Sequence, residues 1–153
     1  MTYYFLQEDL GKLAEQIHKI NARIKAIGQE MGASCEEGAE TFHDNFAFEE
    51  GERQQQMWSK NLKELVEIYN NSQIFKPSGT AERVGIGCQV TIADLDTGEE
   101  KTITIGSYLT FNGNSTVSYN APLARILLCA RPGEVRKGEI AGRLRTFEII
   151  KIQ

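Results

Sequence analysis

Residues 10–31 read LGKLAEQIHKINARIKAIGQEM, and their apolar residues recur alternately three and four positions apart. The recurring residues are Leu10, Leu13, Ile17, Ile20, Ile24, Ile27 and Met31. This spacing places side chains along one stripe of an α-helix, which is the pattern of a coiled-coil seam. The sequence therefore predicts a long helix from about Gln7 to about Cys35 whose apolar stripe packs against a second helix.

A second stretch with the same period supplies the partner helix. Its apolar residues are Trp58, Leu62, Leu65 and Tyr69. Two such helices in one chain pair most simply as an antiparallel hairpin. Glycines and capping residues between them predict the hairpin tip over about residues 33–48, and Asp44 or Asn45 is a good N-cap for the second helix. Residues 1–75 are therefore predicted to form an antiparallel α-helical coiled-coil hairpin.

The apolar period changes after residues 76–80, which we interpret as a linker. Apolar and polar residues alternate over 88–92 and again over 101–105, and the residues 94–98 between them are typical of a turn. Alternation on both sides of a turn predicts a β-hairpin. Two further strands are predicted at about 134–140 and 143–152.

One short helix is predicted within this β-rich half. Residues 120–128 offer Asn120 as a possible cap and Pro122 near the first turn, followed by a short apolar run. Residues 81–153 are thus predicted to be a β-rich domain with one helix, and the whole chain belongs to the α+β class.

The amino-acid composition and net charge argue against several classes of protein. The 153 residues are 41% apolar and 25% charged, with a formal net charge of −4. These values are typical of a globular protein, and the acidic balance argues against wrapping nucleic acid through its phosphates. The first residues lack the pattern of a secretory signal, no apolar run is long enough to span a bilayer, and the three cysteines are far apart. We therefore expect a cytoplasmic protein that does not bind membranes.

Acidic residues without basic neighbours are the most distinctive feature. From Ala26 to Glu52 there is no Lys or Arg, although eight acids fall there: Glu30, Glu36, Glu37, Glu40, Asp44, Glu49, Glu50 and Glu52. At the tip of a hairpin such carboxylates could help to hold Mg²⁺, which takes oxygen ligands and accepts others from a partner. They could equally be a solvated loop whose acids complement a helix dipole. The nearby Phe46 and Phe48 are either the core of the tip or a surface that meets a partner.

Autonomous catalysis is not indicated. The sequence contains no G-x-S-x-G, Walker A or H-E-x-x-H motif. We therefore do not expect an autonomous catalytic triad.

The second half resembles a known family. The segments 87–99, 118–128 and 147–152, and above all Pro122-Leu123-Ala124-Arg125-Ile126-Leu127, are similar to the C-terminal domain of the bacterial Gre transcript cleavage factors. The predicted helical hairpin fits the same family, so the resemblance extends over nearly the whole chain.

The resemblance implies a fold and a function. Gre factors have an N-terminal antiparallel coiled coil and a C-terminal domain with an FKBP-like fold. The C-terminal domain docks on RNA polymerase, and the coiled coil enters the secondary channel. Acids at its tip help to hold a Mg²⁺ ion in the polymerase active site, where the polymerase cuts the 3′ end of backtracked RNA. The resemblance thus implies that the chain is not itself an enzyme but stimulates cleavage as a cofactor-like protein. It would bind no cofactor stably and would meet RNA only within the polymerase complex.

Candidate tip residues follow from the match of residues 41–48 to the family tip. Asp44 takes the place of the family glutamate and would be the ligand of the shared Mg²⁺, and Asn45 matches the family asparagine. Thr41 replaces the first family acid, for which Glu40 is a provisional substitute. Phe46 and Phe48 would support the tip.

Candidate docking residues are Asn120, Pro122 and Arg125. We expect a monomer, because the intrachain partner helix already covers the apolar seam. Thr41 motivates an alternative function, a regulator or inhibitor that binds the secondary channel without stimulating cleavage. A further alternative is an FKBP-like prolyl isomerase, although the β-rich half has only Tyr108, Phe111, Tyr119 and Phe147 as aromatic residues.

Overall fold

A computed structural model of the chain describes residues 1–37, 46–79, 81–111, 113 and 115–153. Its elements, in order, are β1 (Tyr3–Phe5), α1 (Gln7–Glu37), α2 (Phe46–Asn70), β2 (Ser72–Ile74), β3 (Gln89–Asp94), β4 (Glu100–Gly106), β5 (Thr116–Ser118), α3 (Pro122–Leu127), β6 (Val135–Ile140) and β7 (Arg143–Ile152). The chain divides into two compact units. We call residues 11–71 the helical unit and residues 1–10 with 72–153 the sheet unit.

The predicted apolar stripe of α1 is the buried side of that helix. Leu13, Ile20 and Ile27 are buried, and the stripe residues between them are half-buried. In α2 Leu65 is buried, whereas Tyr69, predicted for the same stripe, is 42% exposed. Neither long helix has, within its described residues, an apolar stretch that could span a bilayer.

The two helices of the helical unit run antiparallel. Ile17, in the first half of α1, shares a groove with Val66 near the end of α2. Near the other end of α1, Met31 lies against Gly51 in the first turns of α2. A Cβ at Gly51 would lie 2.5 Å from Met31 Cγ, so the glycine lets the two helices approach closely there.

The sheet unit is built around a five-stranded sheet with the order β5-β4-β3-β7-β6. All neighbouring strands are antiparallel except β4 and β5. The predicted hairpin is confirmed as β3 and β4, and the predicted last strand is β7. The strand predicted from about residue 134 begins at Val135.

One face of the sheet carries the core, which α3 covers. The buried residues are Val84, Val90, Ile92, Ile103, Ile105, Ala124, Leu127, Ala130, Phe147 and Ile149. The side chain of Ile126 in α3 lies directly against Gly138 of β6, where any Cβ would overlap it. A residue without a side chain at position 138 therefore allows α3 to sit close to the sheet.

The first residues of the chain belong to the sheet unit rather than to the helices. β1 pairs in parallel with β2, with Tyr3 opposite Ser72 and Phe5 opposite Ile74. Phe5 is fully buried. The sequence prediction grouped residues 1–75 with the hairpin, and the structure instead places residues 1–10 and 72–75 with the sheet. The reason is this backbone pairing, which joins the strands that flank the two helices.

A buried hydroxyl fixes the start of α1 in the sheet unit. Ser107, which follows β4, donates a hydrogen bond to Asp9 Oδ2 at 2.6 Å and accepts one from the Leu6 N–H at 2.8 Å. Asp9 is 5% exposed and Ser107 is fully buried. Buried polar groups without hydrogen-bond partners destabilise a fold. Ser107 provides a partner for both the Asp9 carboxylate and the Leu6 N–H group, and so stabilises the start of α1.

The turn between β3 and β4 is held to β7 by a buried carboxylate. Asp94 Oδ1 accepts hydrogen bonds from the N–H groups of Asp96 and Thr97, at 2.9 and 3.4 Å. Its Oδ2 accepts a hydrogen bond from Arg145 of β7. That hydrogen bond lowers the pKa of Asp94, chiefly because the guanidinium stabilises the charged carboxylate.

Replacing Ser107 by alanine tests the anchor of α1. The substitution leaves the Leu6 N–H and the Asp9 carboxylate without their shared partner, so we expect the free energy of unfolding to fall by about 1–3 kcal/mol. Urea denaturation followed by circular dichroism measures the change. Ser59→Ala, at an exposed position of α2, is the control and should change stability by less than about 0.5 kcal/mol. Equal stability of the two variants would contradict the role given to Ser107.

The Asp94–Arg145 pair predicts a pH dependence of stability. The folded-state pKa of Asp94 is lower than its unfolded value, so the pair stabilises the fold above the ordinary carboxyl pKa of about 3.9, and this contribution is lost as pH falls further. Asp94→Asn should therefore be less stable than the natural chain at pH 7, and the difference should shrink below about pH 4. Urea midpoints at both pH values measure it, with the exposed Glu99→Gln as control. A difference that persists unchanged at low pH would contradict this assignment.

Candidate functional site

The predicted tip residues divide between described and undescribed parts of the chain. Glu40, Asp44 and Asn45 lie outside the described residues. Phe46 opens α2 and is 75% exposed, and Phe48 is half-buried. Of the two interpretations given to these phenylalanines, a surface position therefore holds for Phe46, which presents an apolar ring to solvent.

One acid near the start of α2 is already paired within the helix. Glu50 Oε1 accepts hydrogen bonds from Arg53, at 2.7 Å, and from Gln54, at 3.3 Å. The hydrogen bond from Arg53 is the main cause of a lowered pKa of Glu50. Among the residues that the structure describes, no group of three or more His, Cys, Asp or Glu side chains could hold a metal ion.

The predicted docking residues lie together at the beginning of α3. Pro122 is the first residue of the helix and is exposed, as is Arg125 one turn later. Asn120 lies just before the helix, and its side-chain oxygen accepts a hydrogen bond from Arg125 at 2.6 Å. Buried Ala124 and Leu127 hold the opposite side of the helix on the sheet.

The predicted cap of this helix is wrong. The N-cap residue is Ala121, in an extended conformation, and the helix start has no side-chain cap. Pro122 lacks an N–H group, which removes one of the donors that a cap would satisfy. The amide of Asn120 is therefore available to orient Arg125 instead.

Backbone contacts fix the position of Asn120. Its N–H donates to Ser118 Oγ at 3.2 Å, and the Ser118 hydroxyl donates to the Tyr108 carbonyl at 2.8 Å. The hydrogen bond to Asn120 uses one N–H group of the Arg125 guanidinium and orients it. The remaining N–H groups of the guanidinium can bind a carboxylate of a partner. The start of α3 is thus a fixed, exposed surface with a proline ring and a positive charge.

A cluster of four tyrosines borders this surface, and the sequence analysis did not predict it. The rings of Tyr3 and Tyr108 are in tilted contact, at an interplanar angle of 50° and with centroids 4.4 Å apart. The ring centroid of Tyr119 lies 6.2 Å from that of Tyr4 and 6.3 Å from that of Tyr108. The Tyr119 hydroxyl also accepts a hydrogen bond from the Tyr4 N–H, at 3.2 Å. The tyrosines of the β-rich half thus pack against β1. The aromatic run Tyr3-Tyr4-Phe5 was the one feature of the sequence that could have indicated this cluster.

Comparison with protein families identifies the second half of the chain. Residues 79–153 match the family model "Transcription elongation factor, GreA/GreB, C-term". These residues include α3 with its exposed proline and arginine and all five strands of the main sheet.

Curated relatives match along almost the full length. Transcription elongation factor GreA of Thermotoga neapolitana is 26% identical over 152 residues, covering 98% of this chain and 92% of that protein. Transcription elongation factor GreA of Thermosipho africanus is also 26% identical, over 99% of this chain and 97% of that protein. A solved structure, GreA factor homolog 1 (Gfh1) of Thermus thermophilus, aligns at 18% identity over 100% of this chain and 99% of that chain with a TM-score of 0.44. Residues 79–153 are therefore a C-terminal domain of the GreA/GreB family, and the similarity to transcription elongation factors of that family extends over nearly the whole chain.

Proposed function

We propose that this protein binds RNA polymerase in the cytoplasm, inserts its helical unit into the secondary channel and stimulates the intrinsic cleavage of backtracked RNA. The observation that carries the proposal is the match of residues 79–153 to the GreA/GreB C-terminal family, together with relatives named as elongation factors over nearly the whole chain. In this role the protein is not an enzyme, because the polymerase supplies the catalytic centre.

The helical unit would be the part that enters the channel. α1 has 31 residues and α2 has 25, so α1 is about 45 Å long at about 1.5 Å per residue. The alternation of buried and half-buried stripe residues in α1 supports our assignment of a coiled coil. A paired helix of this length can carry side chains from the surface of a large enzyme to a site inside it.

The segment between the helices would act on the reacting RNA. Asp44 would serve as a ligand of a Mg²⁺ ion shared with the polymerase, with Glu40 as a provisional second acid and Asn45, Phe46 and Phe48 as support. Such an ion, when bound, activates water and neutralises charge on the phosphate.

The sheet unit, which we assign to the FKBP-like class, would dock on the polymerase through the start of α3. Arg125 is exposed and oriented by Asn120, so it can pair with an acidic side chain of the polymerase. Pro122 presents a rigid apolar ring beside it. Both residues are held by buried neighbours on the sheet, and a surface held in this way loses little entropy when it binds.

A second function, channel binding without cleavage, is favoured by one sequence feature. Thr41 stands where the family has its first acid, and threonine offers no negative charge to a metal ion. The two functions share the docking surface and differ only at the tip. They are separated by adding the protein to stalled elongation complexes with Mg²⁺ and measuring the release of short RNA 3′ fragments.

Replacing Asp44 by asparagine tests the tip. The substitution removes the charge of the proposed ligand while keeping its size, so fragment release should fall at least about 100-fold with polymerase affinity nearly unchanged. Glu52→Gln removes an exposed acid of α2 and is the control, which should keep full activity. Full activity of the Asp44→Asn protein would show that Asp44 is not the ligand, and no activity of the natural chain would favour the second function.

Replacing Arg125 by glutamate tests the docking surface. Reversing the charge of an oriented interface arginine should weaken polymerase binding by about tenfold or more, and Pro122→Ala should weaken it less. Competition with a labelled channel-binding protein measures the affinity. Arg131→Glu, an exposed arginine just after α3, is the matched control. Unchanged affinity of both the Arg125 and Pro122 variants would remove this surface from the docking site.

A further inference from the structure

β6 is the edge strand of the main sheet. Among the strands that the structure describes it pairs with β7 alone, at the end of the order β5-β4-β3-β7-β6, and its other side has no strand partner. Within the described part of the chain, no backbone hydrogen bond outside the β6–β7 ladder involves residues 135–140. A free edge carries a row of backbone donors and acceptors that can pair with another strand.

The two faces of β6 differ. Arg136, Gly138 and Ile140 are half-buried, and Gly138 lies against Ile126 of α3. On the opposite face the side chains of Val135, Lys137 and Glu139 are exposed. The outer face of the edge therefore presents one apolar residue and then one charge of each sign.

The order of these charges is self-complementary. When two antiparallel copies of β6 pair with Gly138 opposite Gly138, Lys137 of each copy lies opposite Glu139 of the other. Opposite charges directly across an antiparallel pair are stabilising. A shift that puts Lys137 opposite Lys137, or Glu139 opposite Glu139, places like charges together and is disfavoured. The charges thus select one register.

Two apolar side chains are also exposed beside the edge. Leu144, which pairs with Glu139 in the ladder, is 67% exposed, and Val135 is 54% exposed. Both lie on the outer face of the sheet, next to the charges. On the other face, Gly138 lies against Ile126 of α3.

We propose that the β6 edge pairs with β6 of a second copy of this chain, in the antiparallel register centred on Gly138. The expectation of a monomer rested on the apolar seam of the helices and does not concern this edge. Six residues a side bury less than the roughly 1,000 Å² of a stable interface, so the dimer forms at high protein concentration and dissociates on dilution. The proposal does not depend on the proposed function.

Sedimentation velocity over a range of concentrations, up to about millimolar, tests the proposal with the full chain. We expect the natural protein to show a concentration-dependent dimer. Lys137→Glu places Glu opposite Glu and Glu139→Lys places Lys opposite Lys, so each variant alone should remain monomeric. A mixture of the two variants restores both opposite-charge pairs and should dimerise again. Lys63→Glu, an exposed lysine of α2, is the control for net charge and should dimerise like the natural chain.

The mixing step keeps the test decisive, because two misfolded variants would not recover association together. Circular dichroism of each variant gives an independent check of folding. A natural protein that stays monomeric throughout overturns the proposal, as does dimerisation that both single variants retain. Loss of polymerase binding by these variants, with no dimer at any concentration, would assign the edge to a polymerase strand instead. None of the sedimentation measurements contains polymerase, so their failure is distinct from failure of the proposed function.

Discussion

The sheet unit depends on one buried serine hydroxyl that serves two distant groups. Ser107 donates to the Asp9 carboxylate and accepts from the Leu6 N–H, so a single side chain fixes both the end of β1 and the first turn of α1. With that turn fixed, β1 lies between β2 and the segment after β4, where the Tyr108 N–H donates to the Tyr4 carbonyl at 3.0 Å. The boundary between the two units therefore falls inside α1, after its first turn.

Elements with strong local patterns were predictable from the sequence. The apolar stripe of α1 predicted a helix that ends within two residues of the observed end. The alternation of apolar and polar residues on both sides of 94–98 predicted the β3–β4 hairpin. β1, β2 and β5 could not be predicted, because each has three residues and pairs in parallel with a strand that need not be near in sequence. Three residues are too few to display a period, and a parallel partner leaves no turn signal between the strands.

The candidate site shows the same division between local and distant information. The exposure of Pro122 and Arg125 follows from the short apolar run of α3, which must turn its other side to the core. The hydrogen bond between Asn120 and Arg125 was missed because an asparagine two residues before a proline, at the start of a helix, is a typical N-cap. The tyrosine cluster joins β1 to residues more than a hundred positions later, and no local pattern reports such a contact. The functional interpretation itself came from the resemblance to a known family. Neither the net charge of the chain nor the spacing of its residues identifies RNA polymerase as the partner.

Because residues 1–10 and 72–153 build one unit, the helical unit is topologically an insertion within the sheet unit. During synthesis all residues of the helical unit are present once residue 71 has left the ribosome. The two helices can therefore pair early, through contacts within one hairpin. Phe5 is fully buried in the finished protein, but β1 has no strand partner until β2 has been made. The serine that fixes the following turn, Ser107, comes later still, 98 positions after Asp9. β1 is therefore made well before the residues that bury it, and until they follow its aromatic residues are exposed to a chaperone or a protease.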